Sequence, residues 1–161
     1  EAAALIRREI PRCQFLVVGD GPERTRVEKL AATPALDGAV HFLGTRDDVP
    51  ELLSLVDVVL LTSRMEANPV SILEAMASEI PVVATRVGSV PDTVRDGATG
   101  LLVPPEDPAT LAATLAELIA DPAARAELGS AASRAVAGPY SWDEAATRTL
   151  ALYERLLEAR R

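Results

Sequence analysis

The sequence predicts a doubly wound α/β fold, in which helices cover both faces of a parallel sheet. Short apolar runs of strand length alternate with stretches of helical periodicity, as expected when a chain passes repeatedly from strand to helix. The runs at 15–18 and 58–61 are apolar at every position, which is typical of parallel strands buried on both faces. Gly19, Gly44 and Ser63 each follow a strand, so we expect them at the carboxyl edge of the sheet, where ligands bind in this fold class.

Strands and helices are predicted to alternate through the first part of the chain. In chain order, we expect a helix at 2–9, a strand at 14–18, a helix at 23–32, a strand at 40–43, a helix at 48–55, a strand at 58–62, a helix from 69 to about 78 and a strand at 82–85. Gly88 and Ser89 then lie between the last of these strands and a short helix, at the same sheet edge.

The last third is predicted to be helical to its end, because it is rich in alanine, leucine and arginine. Helix starts are expected at Asp107, Asp121 and Ser141; proline follows the first two, and Glu144 completes a capping box with the third. We expect residues 1–161 to form one domain, with a final helix at about 141–161.

Composition excludes several classes of function. A chain of 161 residues with 48% hydrophobic and 25% charged content suits one globular domain with a substantial core. The formal net charge of -8 disfavours binding to nucleic acid or to an anionic membrane surface. No apolar run approaches the ~20 residues of a membrane span, and no signal-peptide pattern is present, so we expect a cytoplasmic location.

Metal and redox chemistry have few candidate residues. Cys13 is the single cysteine and His41 the single histidine, which excludes an internal disulfide and a zinc site made of cysteine and histidine. Metal chemistry would therefore have to rely on carboxylates. Gly19 and Gly21 begin a dinucleotide-type fingerprint, but Arg24 stands where the third glycine would be required, so NAD binding is disfavoured.

The most informative stretch is 66–77, which carries one carboxylate just before a helix and another inside it. Asn68 is a favoured N-cap and Pro69 suits the first helical position, so the helix is predicted to start there. The free N–H groups of Val70 and Ser71 then carry the positive end of the helix dipole and can hold a phosphate.

Two glutamates flank this predicted anion site. Glu74 lies ~9 Å along the helix axis, a plausible reach from a diphosphate to a ribose, whose hydroxyls can donate to a carboxylate. Glu66 is on the approaching loop, on the other side of the phosphate, where a hexose would lie. The stretch therefore predicts a site for a sugar joined to a phosphate.

Glu66 and Glu74, with seven residues between them, resemble the paired-glutamate signature of retaining glycosyltransferases of the GT-B architecture, especially the bacterial family 4, or group 1. Further segments follow the order and spacing of that family's C-terminal, donor-binding half: 19–22, 40–44, 81–85 and 96–104. The resemblance covers nearly the whole chain. It implies a Rossmann-like domain that binds a UDP-, GDP- or ADP-sugar as donor.

The resemblance also implies roles for individual residues. Glu66 would be the catalytic residue, and the donor-binding residues would be Glu74, Asn68, Val70, Ser71, Gly19, Gly21, Thr45 and Arg46. The sugar would pass to an acceptor hydroxyl with its anomeric configuration kept, and the leaving diphosphate would need no metal ion. An N-terminal acceptor domain, absent from this chain, would be the partner that completes the cleft.

Three features depart from the family pattern or leave its consequences open. Family members open this half with a strand and a glycine-rich turn, which this chain lacks before Glu1. We therefore expect the sheet to have an exposed edge or a gap. We also expect the chain to be a fragment, or half of an assembly that another segment completes. Many members have glycine where Ala67 and Pro69 stand here; Pro69 has no N–H to offer, so Asn68 could supply a sugar contact instead of a cap. The final helix either crosses to the absent domain or covers one side of the sheet.

Other functions remain open at this point. The chain could be a noncatalytic nucleotide-binding module, half of a GT-B sugar-nucleotide epimerase or phosphorylase, or an inert packing domain. The sequence does not predict the sugar, the base, the acceptor or the oligomeric state.

Overall fold

The computed structural model describes residues 1–159. Its strands are β1 (Phe15–Val18), β2 (Val40–Gly44), β3 (Val59–Leu61), β4 (Val82–Thr85) and β5 (Leu101–Val103). Its helices are α1 (Ala2–Glu9), α2 (Arg24–Ala31), α3 (Val49–Leu53), α4 (Val70–Ala77), α5 (Val90–Thr93), α6 (Pro108–Ala120), α7 (Pro122–Val136) and α8 (Trp142–Glu158). The alternation predicted through β4 is confirmed, with boundaries that move by no more than two residues.

Every strand pair is parallel, as predicted, but the sheet has two parts. Strand β1 pairs with β2, and β3, β4 and β5 pair in that order. Within residues 1–159, no ladder joins β1 to β3. The expected interruption of the sheet is therefore present, and it lies between these two strands.

Cavities lie at the interruption between β1 and β3. Two cavities of about 610 and 540 Å³ lie there, and both are lined by Ile6 of α1, Phe15 of β1, Leu60 of β3 and Leu115 of α6. Apolar side chains from both parts of the sheet therefore face the same space.

Strand β4 has helices on both of its faces, as a doubly wound fold requires. Val82 and Ala84 belong to one buried cluster, together with Ile72 and Met76 of α4. Val83, between them in the strand, belongs to a second cluster, with residues of α1, α6 and α7. Alternate side chains thus enter opposite layers, which explains why this strand is apolar throughout.

The predicted starts of the last three helices are confirmed, with one correction. Asp107 accepts a hydrogen bond from the Thr110 N–H at 3.0 Å, and Asp121 accepts one from the Ala124 N–H at 2.9 Å. Ser141 Oγ accepts the Glu144 N–H at 3.2 Å, but the reciprocal half of the predicted capping box is absent within the described residues. The Glu144 carboxylate accepts from Arg148 instead, one turn further on.

Helix α8 does not cover the sheet, which was one of the two roles considered for it. None of its described residues is buried. Its exposed apolar residues include Trp142, Leu150, Tyr153 and Leu157, and the last three recur at helical spacing on one face. No helix within residues 1–159 combines the length and the apolar character that a membrane crossing requires.

Candidate functional site at the start of helix α4

Helix α4 begins one residue later than predicted, and Asn68 does not cap it. Pro69 is the N-cap residue, with φ -74° and ψ 97°, and no side chain bonds to this helix end. Proline fixes φ near -65°, but ψ is free to be extended, so Pro69 itself is the last residue outside the helix. Asn68 then lies one position too far out to act as the cap. The predictions of Asn68 as cap and Pro69 as first helical residue are wrong for this reason.

The first amides of α4 are open. Within the described residues, no acceptor is recorded for the N–H groups of Val70 and Ser71, whereas the Ile72 N–H bonds to the Pro69 carbonyl at 3.1 Å. Val70 and Ser71 are both exposed. Unbonded N–H groups at an exposed helix start favour an anion.

Glu74 lies on the exposed face of the same helix. Ile72, Ala75 and Met76 are buried, while Glu74 and Val70, four residues before it, are exposed on one side. No hydrogen bond or ion pair of the Glu74 carboxylate is recorded within residues 1–159. Its oxygens are therefore available to a ligand that also reaches the open amides.

Glu66 is held at the other side of the helix start, in the loop from β3. The Ser63 hydroxyl donates a hydrogen bond of 2.5 Å to Glu66 Oε1, and the Thr85 hydroxyl donates one of 2.6 Å to the Ser63 carbonyl. The Glu66 carbonyl accepts from the Ser89 N–H at 3.2 Å. The hydrogen bond from Ser63 orders the Glu66 carboxylate. Because Glu66 is only half-buried, it is still accessible.

These contacts include residues that the sequence identified only by position. Ser63, Gly88 and Ser89 were expected at the carboxyl edge, but without a role, and Thr85 had no role beyond its strand. The signal that could have found them is their common place at the ends of β3 and β4, because residues that follow neighbouring parallel strands meet at one edge.

The predicted residues at the end of β1 serve turn geometry and local ion pairs. Gly19 has φ +112°, and its N–H bonds to the Gly44 carbonyl at the end of β2. The Asp20 carboxylate accepts from the Gly21 N–H at 2.7 Å and from Arg24 at 3.0 Å. These two bonds, the backbone one first, hold the pKa of Asp20 below its usual value.

Thr45 and Arg46, expected near the nucleotide base, follow β2 and are exposed. The Arg46 guanidinium forms a forked pair with Asp48, with Nε 2.7 Å from Oδ1 and Nη2 2.5 Å from Oδ2. This pair lowers the pKa of Asp48 and raises that of Arg46. A ligand that recruits Arg46 must therefore compete with Asp48.

The structure thus separates the predicted site residues into two groups. Glu66, Asn68, Val70, Ser71 and Glu74 lie around the start of α4 in the β3–β5 part of the sheet. The remaining residues, Gly19, Gly21, Thr45 and Arg46, follow β1 and β2 in the other part.

Comparison with known proteins finds a family whose model matches most of the chain. A protein-family model described as Glycosyl transferases group 1 matches residues 1–135. An alpha-D-kanosaminyltransferase from Streptomyces kanamyceticus is 34% identical over 158 residues, which cover 97% of this chain and 41% of that protein.

Solved structures share the fold. Sucrose-phosphate synthase from Thermosynechococcus elongatus matches with a TM-score of 0.89 and 33% identity, over 98% of this chain and 42% of that one. Anabaena Alr3699/HepE, solved in complex with UDP-glucose, matches with a TM-score of 0.72 and 30% identity, over 82% of this chain and 39% of that one. The chain therefore spans less than half of the length of these relatives.

Proposed function

The chain belongs to the glycosyl transferases group 1 family, and we propose that it is the donor-binding half of a retaining hexosyltransferase that uses a nucleotide diphosphate sugar. The observation that carries the proposal is the start of α4, where open amides at Val70 and Ser71 lie between two accessible glutamates. The complex of the Anabaena relative with UDP-glucose supports a donor of this class.

In the proposed reaction, the bond between the anomeric carbon and the leaving diphosphate breaks, and the acceptor oxygen forms its bond to that carbon on the same face. The proton of the acceptor hydroxyl passes to an oxygen of the departing diphosphate. The α4 amides stabilise the negative charge that develops on the diphosphate. Glu66 orients the sugar and favours positive charge at the anomeric carbon, while Glu74 accepts hydrogen bonds from the ribose hydroxyls. No metal ion is part of this proposal, because the α4 amides carry the leaving-group charge.

The proposal extends to helix α8. Its apolar face includes Leu150, Tyr153 and Leu157, whose exposed fractions are 60%, 59% and 65%. A contiguous exposed apolar face is typical of a surface that another element covers. We propose that α8 packs against the acceptor domain with which this half shares its cleft.

Calorimetry with UDP, GDP, ADP and their glucose conjugates tests donor binding. We expect one nucleotide series to bind, with the attached sugar adding affinity. Glu74→Ala should weaken nucleotide binding by about 1–3 kcal/mol, the scale for hydrogen bonds to a charged group. Glu127→Ala, which removes an exposed glutamate from α7, is the matched control and should leave affinity unchanged. Equal binding of nucleotides with and without sugar would indicate a nucleotide-binding module instead.

A transfer assay with the acceptor domain present tests the role of Glu66. We expect Glu66→Ala to lower turnover far more than nucleotide affinity, because its contacts strengthen in the transition state. Normal turnover in this variant would exclude a catalytic role for Glu66.

A further inference from the structure

We propose that Ser63 is a positioning residue that fixes the Glu66 carboxylate so that its second oxygen can accept a hydrogen bond from the donor sugar. The inference rests on the proposed function and deepens it, because it names the groups that hold the catalytic glutamate in place.

The contact between Ser63 and Glu66 fixes one carboxylate oxygen. Ser63 Oγ lies 2.5 Å from Glu66 Oε1, in a half-buried setting. A short hydrogen bond from a hydroxyl to a carboxylate is stronger than one between neutral groups. No partner of Oε2 is recorded within residues 1–159, so the two oxygens are not equivalent: one is held by the protein and the other is open.

Ser63 is itself anchored to the sheet. It lies two residues beyond the end of β3, where loop freedom would otherwise let its hydroxyl move. Thr85, the last residue of β4 and only 5% exposed, donates from its hydroxyl to the Ser63 carbonyl at 2.6 Å. Two consecutive hydrogen bonds therefore connect the Glu66 carboxylate to the buried strand β4.

A second support holds the Glu66 main chain. Gly88 has φ +51°, and a Cβ added there would lie 1.8 Å from the Glu66 carbonyl oxygen, so the two backbones touch. Ser89 donates its N–H to the same carbonyl at 3.2 Å and its hydroxyl to the Ala67 carbonyl. Glu66 is thus fixed at both side chain and backbone by the residues that follow β3 and β4.

The chemistry of these partners fits a glutamate that must keep its charge. Asp20, Asp48 and Asp96 each pair with an arginine, which neutralises the carboxylate. Within the described residues, no ion pair involves Glu66, and a neutral hydroxyl orients it instead. A serine can therefore fix the direction of the carboxylate while leaving its negative charge for the developing positive charge at the sugar.

The test compares Ser63→Ala with Ser63→Thr, which restores a hydroxyl, and with Ser78→Ala, which changes an exposed serine after α4. Three-bond NMR couplings measure whether the Glu66 χ1 angle occupies one rotamer or several. Calorimetry measures the ratio of sugar-nucleotide affinity to nucleotide affinity. We expect Ser63→Ala to average the Glu66 rotamers and to lower that ratio roughly fivefold, the factor for one hydrogen bond, with nucleotide affinity unchanged. Ser63→Thr should restore both, and Ser78→Ala should alter neither.

A single Glu66 rotamer in Ser63→Ala, or an unchanged affinity ratio where the wild type has a sugar contribution, overturns the inference. If no sugar adds affinity to the wild type, the proposed function fails, and the rotamer measurement alone then decides whether Ser63 positions Glu66. The two failures are therefore distinguishable.

Discussion

Strand β1, in one part of the sheet, and strand β4, in the other, are both largely apolar but differ greatly in burial. In β4, Val82, Val83 and Ala84 are 0% exposed, whereas in β1, Leu16, Val17 and Val18 are 38%, 37% and 46% exposed. The difference follows from pairing: β4 lies between two strands, and β1 is paired on one side only. An apolar strand is therefore not sufficient for burial, and the neighbouring strand and the helix layers decide it.

The same contrast extends to the site residues. Around Glu66, hydroxyl and backbone groups from neighbouring strand ends fix the loop. After β1 and β2, exposed ion pairs do so, namely Arg24 with Asp20 and Arg46 with Asp48. Solvent screens exposed pairs, so they contribute little to stability and can exchange partners at small cost. We infer that the α4 side of the site is preformed, while the β1–β2 side adjusts when a ligand binds.

Truncating one apolar residue in each part of the sheet should lower the free energy of unfolding by different amounts. Ile72→Ala removes a fully buried side chain of α4 and should cost about 2–5 kcal/mol of the free energy of unfolding. Val17→Ala, in exposed β1, should cost less than about 1 kcal/mol, since its side chain is already partly in water. Urea unfolding of both variants measures the difference. Equal losses would contradict the contrast in burial.

The close approach at Gly88 offers a second, smaller test of how rigid the α4 side is. Gly88→Ala should destabilise by about 2–4 kcal/mol, because it adds a left-handed backbone strain and a clash with the Glu66 carbonyl. Gly97→Ala is the matched control: its φ is +71°, but nothing lies within 4 Å of the added Cβ. It should cost only the strain, about 1–2 kcal/mol. Thermal unfolding that ranks the two variants equally would show that the loop yields to the methyl group.

The fold could be predicted largely because its elements have strong local signals. The bounds of α1 and β4 agree with the predicted ones. The helical pattern of α1 ends before a proline, and the apolar run of β4 is bounded by Pro81 and Arg86. The start of α4 could not be assigned to the right residue. Asn68 and Pro69 both favour a helix start, and which one becomes the cap depends on the ψ angle that buried Pro69 takes in the packed protein.

The site could be predicted in part for a related reason. The residues around α4 are local in sequence, so the motif located them together. The contacts of Glu66 with Ser89, and of Ser63 with Thr85, join segments about twenty residues apart. Such contacts depend on strand order and register, which apolar periodicity does not specify. Arg46 and Asp48 are close in sequence, but the sequence does not predict their forked pair, because its geometry depends on the backbone of the turn that joins them.

The smallest expected effect concerns α6, the helix that packs against both α1 and the β3–β5 part of the sheet. The Thr110 hydroxyl and N–H bond to the Asp107 cap, the hydroxyl most strongly, and hold the pKa of Asp107 below its ordinary value of 3.8. Because the folded-state pKa is the lower one, the carboxylate stabilises the fold above the ordinary value, and this stabilisation is lost as the pH falls through the folded value. Asp107→Asn should therefore lower the urea midpoint at pH 5–7, and its difference from wild type should shrink below about pH 4.

Thr110→Val sharpens this last test, since it removes the hydroxyl bond and keeps the backbone one. We expect its pH dependence to lie between those of wild type and Asp107→Asn. Residues of α6 form one buried cluster with Val83, and Phe15 of β1 packs against that cluster, so hydrogen exchange at Val17 and at Val83 should accelerate by similar factors in Asp107→Asn. In Ile72→Ala, Val83 should respond more, because its neighbours Val82 and Ala84 pack with Ile72. Acceleration confined to one strand would mean that the two parts open independently and that α6 does not couple them.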